Sequence, residues 1–256
     1  MLRSPPPAVP RRGGIVHVPA FAEEMNKSRR MVALQAEAWA ADGWTVLQID
    51  LHGCGDSSGK LADASWETWL EDVRLACERL EVLGAPVRWL WGLRLGGLLA
   101  CDALERFGLG CGLLLWQPVA SGAQHLQQFL RLWKMGQVVG KAAASERTPA
   151  QLLEAGCAAE VGGYVMSPLL AAGMRQASMR AARATAVQWF QLGTAQAEPL
   201  PAFVKLAEQW RTLGVPVRHH AVESPTFWQA QEIEVAPALL RASLVAAVED
   251  CCGVSA

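Results

Sequence analysis

The chain has 256 residues, 52% of them hydrophobic and 18% charged, with a formal net charge of −1. That length and apolar share suit one α/β domain with a large core and exclude a disordered chain. The near-neutral balance gives bulk electrostatics nothing with which to hold nucleic acid. From the N-terminus, residues 1–14 are rich in Pro and Arg and lack the apolar centre of a secretory leader. Residues 14–18 (GIVHV) read as a buried strand, and residues 26–41 as a helix ended by Asp42-Gly43. A second strand, 44–50 (WTVLQID), runs into a glycine-rich loop, 51–59. Residues 65–83 form an amphipathic helix, with Trp66, Trp69, Leu70, Val73, Cys77 and Leu80 at helical spacing. Residues 87–91 are a third strand, 98–107 a helix and 111–116 (CGLLLW) a fourth strand.

Residues 117–186 break this rhythm. They read as largely helical, carry Met135, Met166, Met174 and Met179, and show little strand signal. They are expected to be a helical cap or lid, inserted into a core made of residues 1–116 and 187–256. Residues 187–192 (VQWFQL) and 217–222 (VRHHAV) restore strands around a helix near 201–213, and a helix over 234–250 closes the chain. Strand–helix alternation with nearly continuous apolar strands implies a mostly parallel sheet of about six strands, covered by helices on both faces. The first parallel strand comes after only about 13 residues, which leaves no expected room for an antiparallel hairpin before it. No uncharged run of about 18 apolar residues occurs, so no membrane-spanning helix is expected. Seven Cys, odd in number and without C-x-x-C, point to free thiols in a reducing cytoplasm. Eleven Trp against one Tyr are expected in the core or along a cleft.

The segment WLWGLRLGGLLA (89–100) carries the sharpest signal. A buried strand entering a glycine-flanked turn and then a helix is the layout of the nucleophile elbow, G-x-S-x-G, of the α/β-hydrolase fold. The central residue here is Arg94, which stays protonated and cannot attack a carbonyl. A cation at a helix N-terminus is disfavoured by roughly 0.3–1 kcal/mol, so Arg94 needs an acidic partner or an anionic ligand. Glu23 and Glu24, in the loop after the first strand, are the candidates for an ion pair with it. That loop begins His17-Val18-Pro19, and Pro19 has no N–H to offer an oxyanion.

The other slots of a triad are altered too. The acid slot (193–198) offers only Glu198, late in the loop, and the histidine slot (223–228) contains no His. His219 and His220 fall within a strand on opposite faces and read as packed or surface imidazoles. Cys54 and Ser57, in the Asp50-x-x-Gly53-x-Gly55-x-Ser57 turn, serve backbone geometry rather than nucleophilic attack. No metal-ligand spacing and no phosphate-binding loop occurs, so no metal or cofactor is expected.

The segments HVPAFAEEMNKSRRM (17–31), DLHGCGDSSG (50–59), WLWGLRLGGLLA and FWQAQEIE (227–234) together resemble the second of two hydrolase-like families associated with the exosortase A system. The resemblance runs over most of the chain. It implies a cytoplasmic bacterial protein encoded with exopolysaccharide and PEP-CTERM sorting machinery, with protein partners from that system, and a family in which Arg at the elbow is a shared trait. It also implies an extra N-terminal strand segment, which this sequence is expected to lack, either natively or because its start is trimmed.

Three readings follow. In the first, Arg94, Glu23, Glu24 and Lys27 form a charged pocket under the cap, with Phe21, Leu95 and Trp228 lining it, in a pseudohydrolase that binds a small anionic or carbohydrate-like ligand. In the second, Glu23 or Glu24 is the general base and Arg94 the electrophilic stabiliser of an unconventional hydrolase or transferase acting on an ester, acyl or glycosyl substrate. Arg94 is expected to lower the pKa of its carboxylate partner, which weakens that base. In the third, the protein is a scaffold with a vestigial cleft.

Overall fold

The computed structural model describes residues 1–138 and 147–249, with side chains at 134–138 and 249 left aside. Cys251, Cys252, Asp250 and part of the inserted segment, residues 139–146, lie outside the described residues.

The elements in chain order are β1 (Leu2–Arg3), β2 (Gly13–Val18), α1 (Glu23–Ala41), β3 (Trp44–Gln48), α2 (Trp66–Val82), β4 (Val87–Leu93), α3 (Leu95–Phe107) and β5 (Gly112–Trp116). Then come α4 (Gly122–Val138), α5 (Pro149–Glu154), β6 (Ala159–Val161), β7 (Tyr164–Met166), α6 (Pro168–Gln176), β8 (Val187–Gly193), α7 (Pro201–Thr212), β9 (Val217–Glu223) and α8 (Pro237–Glu249). The main sheet has the order β1-β3-β2-β4-β5-β8-β9. Its six long strands are parallel, and this is an α/β-hydrolase fold.

Two expectations need correction. The residues before β2 do pair: β1 lies antiparallel to β3, with Leu2 opposite Leu47 and Arg3 opposite Val46, so the sheet has seven strands. Two residues are too short for a periodic pattern to reveal. The segment between β5 and β8 is not purely helical either. It carries a ribbon, β6–β7, closed by Gly162 and Gly163 at positive φ. Each ribbon strand has three residues, again too few for alternation to register.

The parallel strands read as apolar runs because both faces are covered. Alternation sends Ile15, Val46, Trp89, Trp91 and Trp116 toward α1 and α8. It sends Val16, Leu90, Leu113 and Leu115 toward α2 and α3. Ser65 caps α2, its hydroxyl accepting from the Thr68 amide while Thr68 reaches back to Ser65. The tryptophans explain their number by packing: Trp39, Trp91 and Trp116 form edge-on pairs at 4.8 and 4.7 Å, continuing through Phe227 to Trp228. Each large ring buries on the order of 150–250 Å2. This ladder ends beneath the elbow.

Candidate functional site

The turn between β4 and α3 is built by close approach. Gly92 faces Gly97, where an added Cβ would lie 2.3 Å from the Gly97 Cα, and a Cβ on Gly96 would lie 2.2 Å from the Val18 carbonyl oxygen. Both positions therefore exclude any side chain, and the turn is pressed against the end of β2. Gly96→Ala should lower stability by about 1–3 kcal/mol, because backbone atoms cannot move aside as a side-chain tip can. Urea unfolding measures this, and a wild-type midpoint would show that the loop yields.

Arg94 sits at the apex with φ 53° and ψ −118°, the left-handed conformation that displays a side chain outward. Its amide donates to the Trp116 carbonyl at 3.0 Å, and its carbonyl accepts from the Gly97 amide at 3.1 Å. The side chain is 13% exposed. Nε donates to Glu24 Oε1 at 3.2 Å, Nη1 donates to the Gln117 carbonyl at 3.3 Å, and Cζ lies 5.5 Å from the Trp228 ring centre. Of the two candidate carboxylates, the structure pairs Glu24 with Arg94. Glu23 faces the other way and accepts from the Tyr164 hydroxyl of β7 at 3.1 Å, while Tyr164 accepts from Asn26 at 2.9 Å. The inserted segment is thereby latched to the first turn of α1.

Glu24 overturns one expectation. Its carboxyl pKa is raised, because burial outweighs the lowering effects of Arg94 and Gln229. Oε2 is buried without a hydrogen-bond partner among the described residues. It stands 3.9 Å from Nε2 of His125, a residue of α4. Burial, with help from Arg94, pushes the His125 pKa down to about 4, so the ring is neutral at pH 7 and this contact is not an ion pair. Nothing in the sequence flagged His125: it is one histidine on an amphipathic helix, without a motif. Gln117 was equally silent; it adopts φ 40° after β5, and its side-chain oxygen accepts from the Leu192 amide at 2.6 Å.

The other predicted residues are placed as follows. Phe21 is buried against Phe129 at 4.8 Å and Trp69 at 5.9 Å, and Leu95 is buried in the same core. Trp228 comes from the loop after β9, where a triad would carry its histidine, and stacks on the cation instead. Lys27 donates to the backbone carbonyl of Gln229, the residue after Trp228, at 3.3 Å. Four cavities stand out among the described residues, and neither Arg94 nor Glu24 lines any of them.

Neither Cys54 nor Ser57 is placed as an activated nucleophile. Burial pushes the Cys54 thiol up to about 12, and Ser57 donates to the Asp50 carbonyl at 2.5 Å within its turn. Glu198 is exposed, and its backbone carbonyl, not its carboxylate, engages Gln191. His219 packs on Phe203 and His220 stacks on Phe190 at 4.6 Å, each with a glutamine side chain as partner. No group of three or more metal-ligating side chains occurs among the described residues. No helix there is long and apolar enough to cross a membrane.

Residues 10–208 match the family model described as serine aminopeptidase, S33. A comparison with curated proteins gives no match. Among solved structures, the chain is similar to Est1E from Butyrivibrio proteoclasticus, solved with ferulic acid bound, at 17% identity and TM-score 0.61, covering 96% of this chain and 91% of that one. It is similar to the monoacylglycerol lipase of Paleococcus ferrophilus at 17% identity and TM-score 0.55, covering 98% of each chain. An α/β serine hydrolase without a lid from Xanthomonas campestris gives 14% identity and TM-score 0.53, over 96% of this chain and 86% of that one. At these identities the likeness is one of fold. The family match corrects the resemblance drawn from short segments: the chain belongs to the serine aminopeptidase S33 family, not to an exosortase A-associated family. Short motifs around the elbow and the first loop report a turn geometry shared across the fold, and they misassigned the family.

Proposed function

We propose that this member of the S33 family is a pseudohydrolase: a cytoplasmic binding protein on a hydrolase scaffold, without serine-hydrolase turnover. The observation that carries this reading is Arg94 at the elbow apex, on the backbone conformation that would present a nucleophile, tied to Glu24 and stacked on Trp228. A guanidinium cannot form an acyl-enzyme, and it suits paired recognition of a carboxylate or phosphate. The ligand in this reading is small and anionic or carbohydrate-like. It enters by taking the place of Glu24 on Arg94 as the inserted residues 117–186, acting as a cap, lift away. The five described cysteines are free, which suits a reducing compartment.

The test is the variant Arg94→Ser beside the wild type, with a fluorophosphonate probe read by intact mass and with p-nitrophenyl acetate turnover. Neither protein should be labelled or should turn over ester above background, because the acid slot offers only the exposed Glu198 and Trp228 stands in the histidine slot. Turnover by Arg94→Ser, or an adduct mapped to a Ser or Cys of the wild type, overturns the reading.

A second reading rests on the raised pKa of Glu24 and its unbonded Oε2. A carboxylate held above its ordinary range is a stronger base, and beside Arg94 it supports an unconventional hydrolase or transferase with Glu24 activating water. Ester, acyl or glycosyl turnover by the wild type that disappears in Glu24→Gln distinguishes it from the first.

A further inference from the structure

A cavity of ≈ 250 Å3 lies between α1 and the carboxyl ends of β2 and β3. We propose that it is a binding site for a small primary amine with a short alkyl chain. His17 and Gln48 both line it and are register partners across β2 and β3, so their side chains leave the sheet on the same face, the one that α1 covers. His17 is 4% exposed, and its Nδ1 lies 3.2 Å from the Trp91 carbonyl. A carbonyl only accepts, so Nδ1 carries the proton and Nε2 is left with a lone pair. Burial lowers the ring's pKa to about 3 and keeps it neutral. Beside it, Gln48 Oε1 is buried without a hydrogen-bond partner among the described residues. A buried acceptor without a donor is costly, and it calls for a ligand that supplies one.

The rim provides the charge. The Asp50 carboxylate accepts from the Asp56 amide at 2.9 Å and pairs with Arg29 only at 3.5 Å, and Arg29 is half exposed. Asp56 adds a second carboxylate to the lining. The cavity therefore gathers four acceptors, two neutral and two charged, beside the Arg29 and Met1 cations, where an R–NH3+ group has three donors to give. The Met1 nitrogen at its edge already donates to the Gln48 carbonyl at 2.5 Å. Met25 and Val32 supply an apolar wall for a short chain. The volume lies below the range of drug-sized pockets, about 300–1,000 Å3, which restricts the ligand to a few heavy atoms.

The experiment is titration of the full chain with propylammonium chloride, followed by amide chemical shifts, with 1-propanol and tetramethylammonium as controls. Propylammonium should give saturable shifts confined to β2, β3 and the first half of α1, with a millimolar dissociation constant. Gln48→Leu, a substitution that fills the space and removes the unpaired acceptor, should fold normally and weaken binding about tenfold or more. Asp50→Asn should weaken it similarly. Absence of saturation up to about 100 mM, weaker than any affinity worth a built site, overturns the proposal. So does equal affinity for 1-propanol or tetramethylammonium, or binding that survives Gln48→Leu undiminished.

Discussion

Replacing Arg94 by alanine should destabilise the protein by about 2–4 kcal/mol, although it removes a residue that a hydrolase of this fold does not have at that position. Glu24 explains why. Its carboxylate is 16% exposed, Oε1 has Arg94 as its charge partner, and Oε2 has no hydrogen bond among the described residues. Burial already raises its pKa, so without the guanidinium the group must either stay charged in an apolar site or take up a proton. The Trp228 face loses its cation at the same time. Urea unfolding at pH 7 should show a lower midpoint with an unchanged slope. The double variant Arg94→Met, Glu24→Met should recover most of the loss, since apolar replacement of a buried pair is often neutral or stabilising. An Arg94→Ala midpoint equal to wild type would mean that solvent reaches the pair and that it does not hold the loop.

Acid should unfold this protein early, and two histidines determine the range. His17 and His125 are buried, and their pKa values fall from the ordinary 6.5 to about 3 and about 4. The unfolded chain therefore binds protons below pH 6.5 that the folded chain refuses. Their contribution to stability is fully present above that value. It is lost as pH falls toward 4 for His125 and toward 3 for His17, at up to about 1.4 kcal/mol per pH unit for each ring. Glu24 acts in the opposite sense. Its folded pKa lies above the unfolded value, so its contribution is present below pH 4.5 and is lost as pH rises through the folded pKa. It offsets part of the loss from the histidines but not the sum of both. Unfolding free energies measured from pH 7 to pH 4 should fall with a net slope below the two protons of the histidines, because Glu24 offsets part of it, and His125→Gln should reduce that slope by about one. An unchanged slope in His125→Gln would place that ring in solvent.

These expectations rest on residues of very different legibility. The fold was readable because parallel strands buried on both faces are nearly continuous apolar runs, as residues 112–116 and, His17 apart, 13–18 are. The elbow was readable because Gly92 and Gly96 permit an approach that any side chain would block. The charge logic at Arg94 was readable in kind, since a cation at a helix N-terminus calls for an anion. It did not say which of two adjacent glutamates answers, because the direction each takes depends on the entry of α1, where Ala22 adopts φ 52°. The family drawn from short motifs was wrong, since those motifs encode a turn and not an ancestry.

The sequence by itself determined that the chain folds as a parallel α/β sheet and that its elbow bears a cation in place of a nucleophile. Both are local: they depend on residue type and on spacing along the chain. Tertiary structure alone decided that His125 and Tyr164, from the inserted segment, close over the loop that carries Glu24. It also decided that burial outweighs Arg94 in setting the direction of the Glu24 shift, and that the cation is packed on Trp228. Desolvation depends on every atom that surrounds a group, and those atoms come from segments of the chain more than a hundred residues apart.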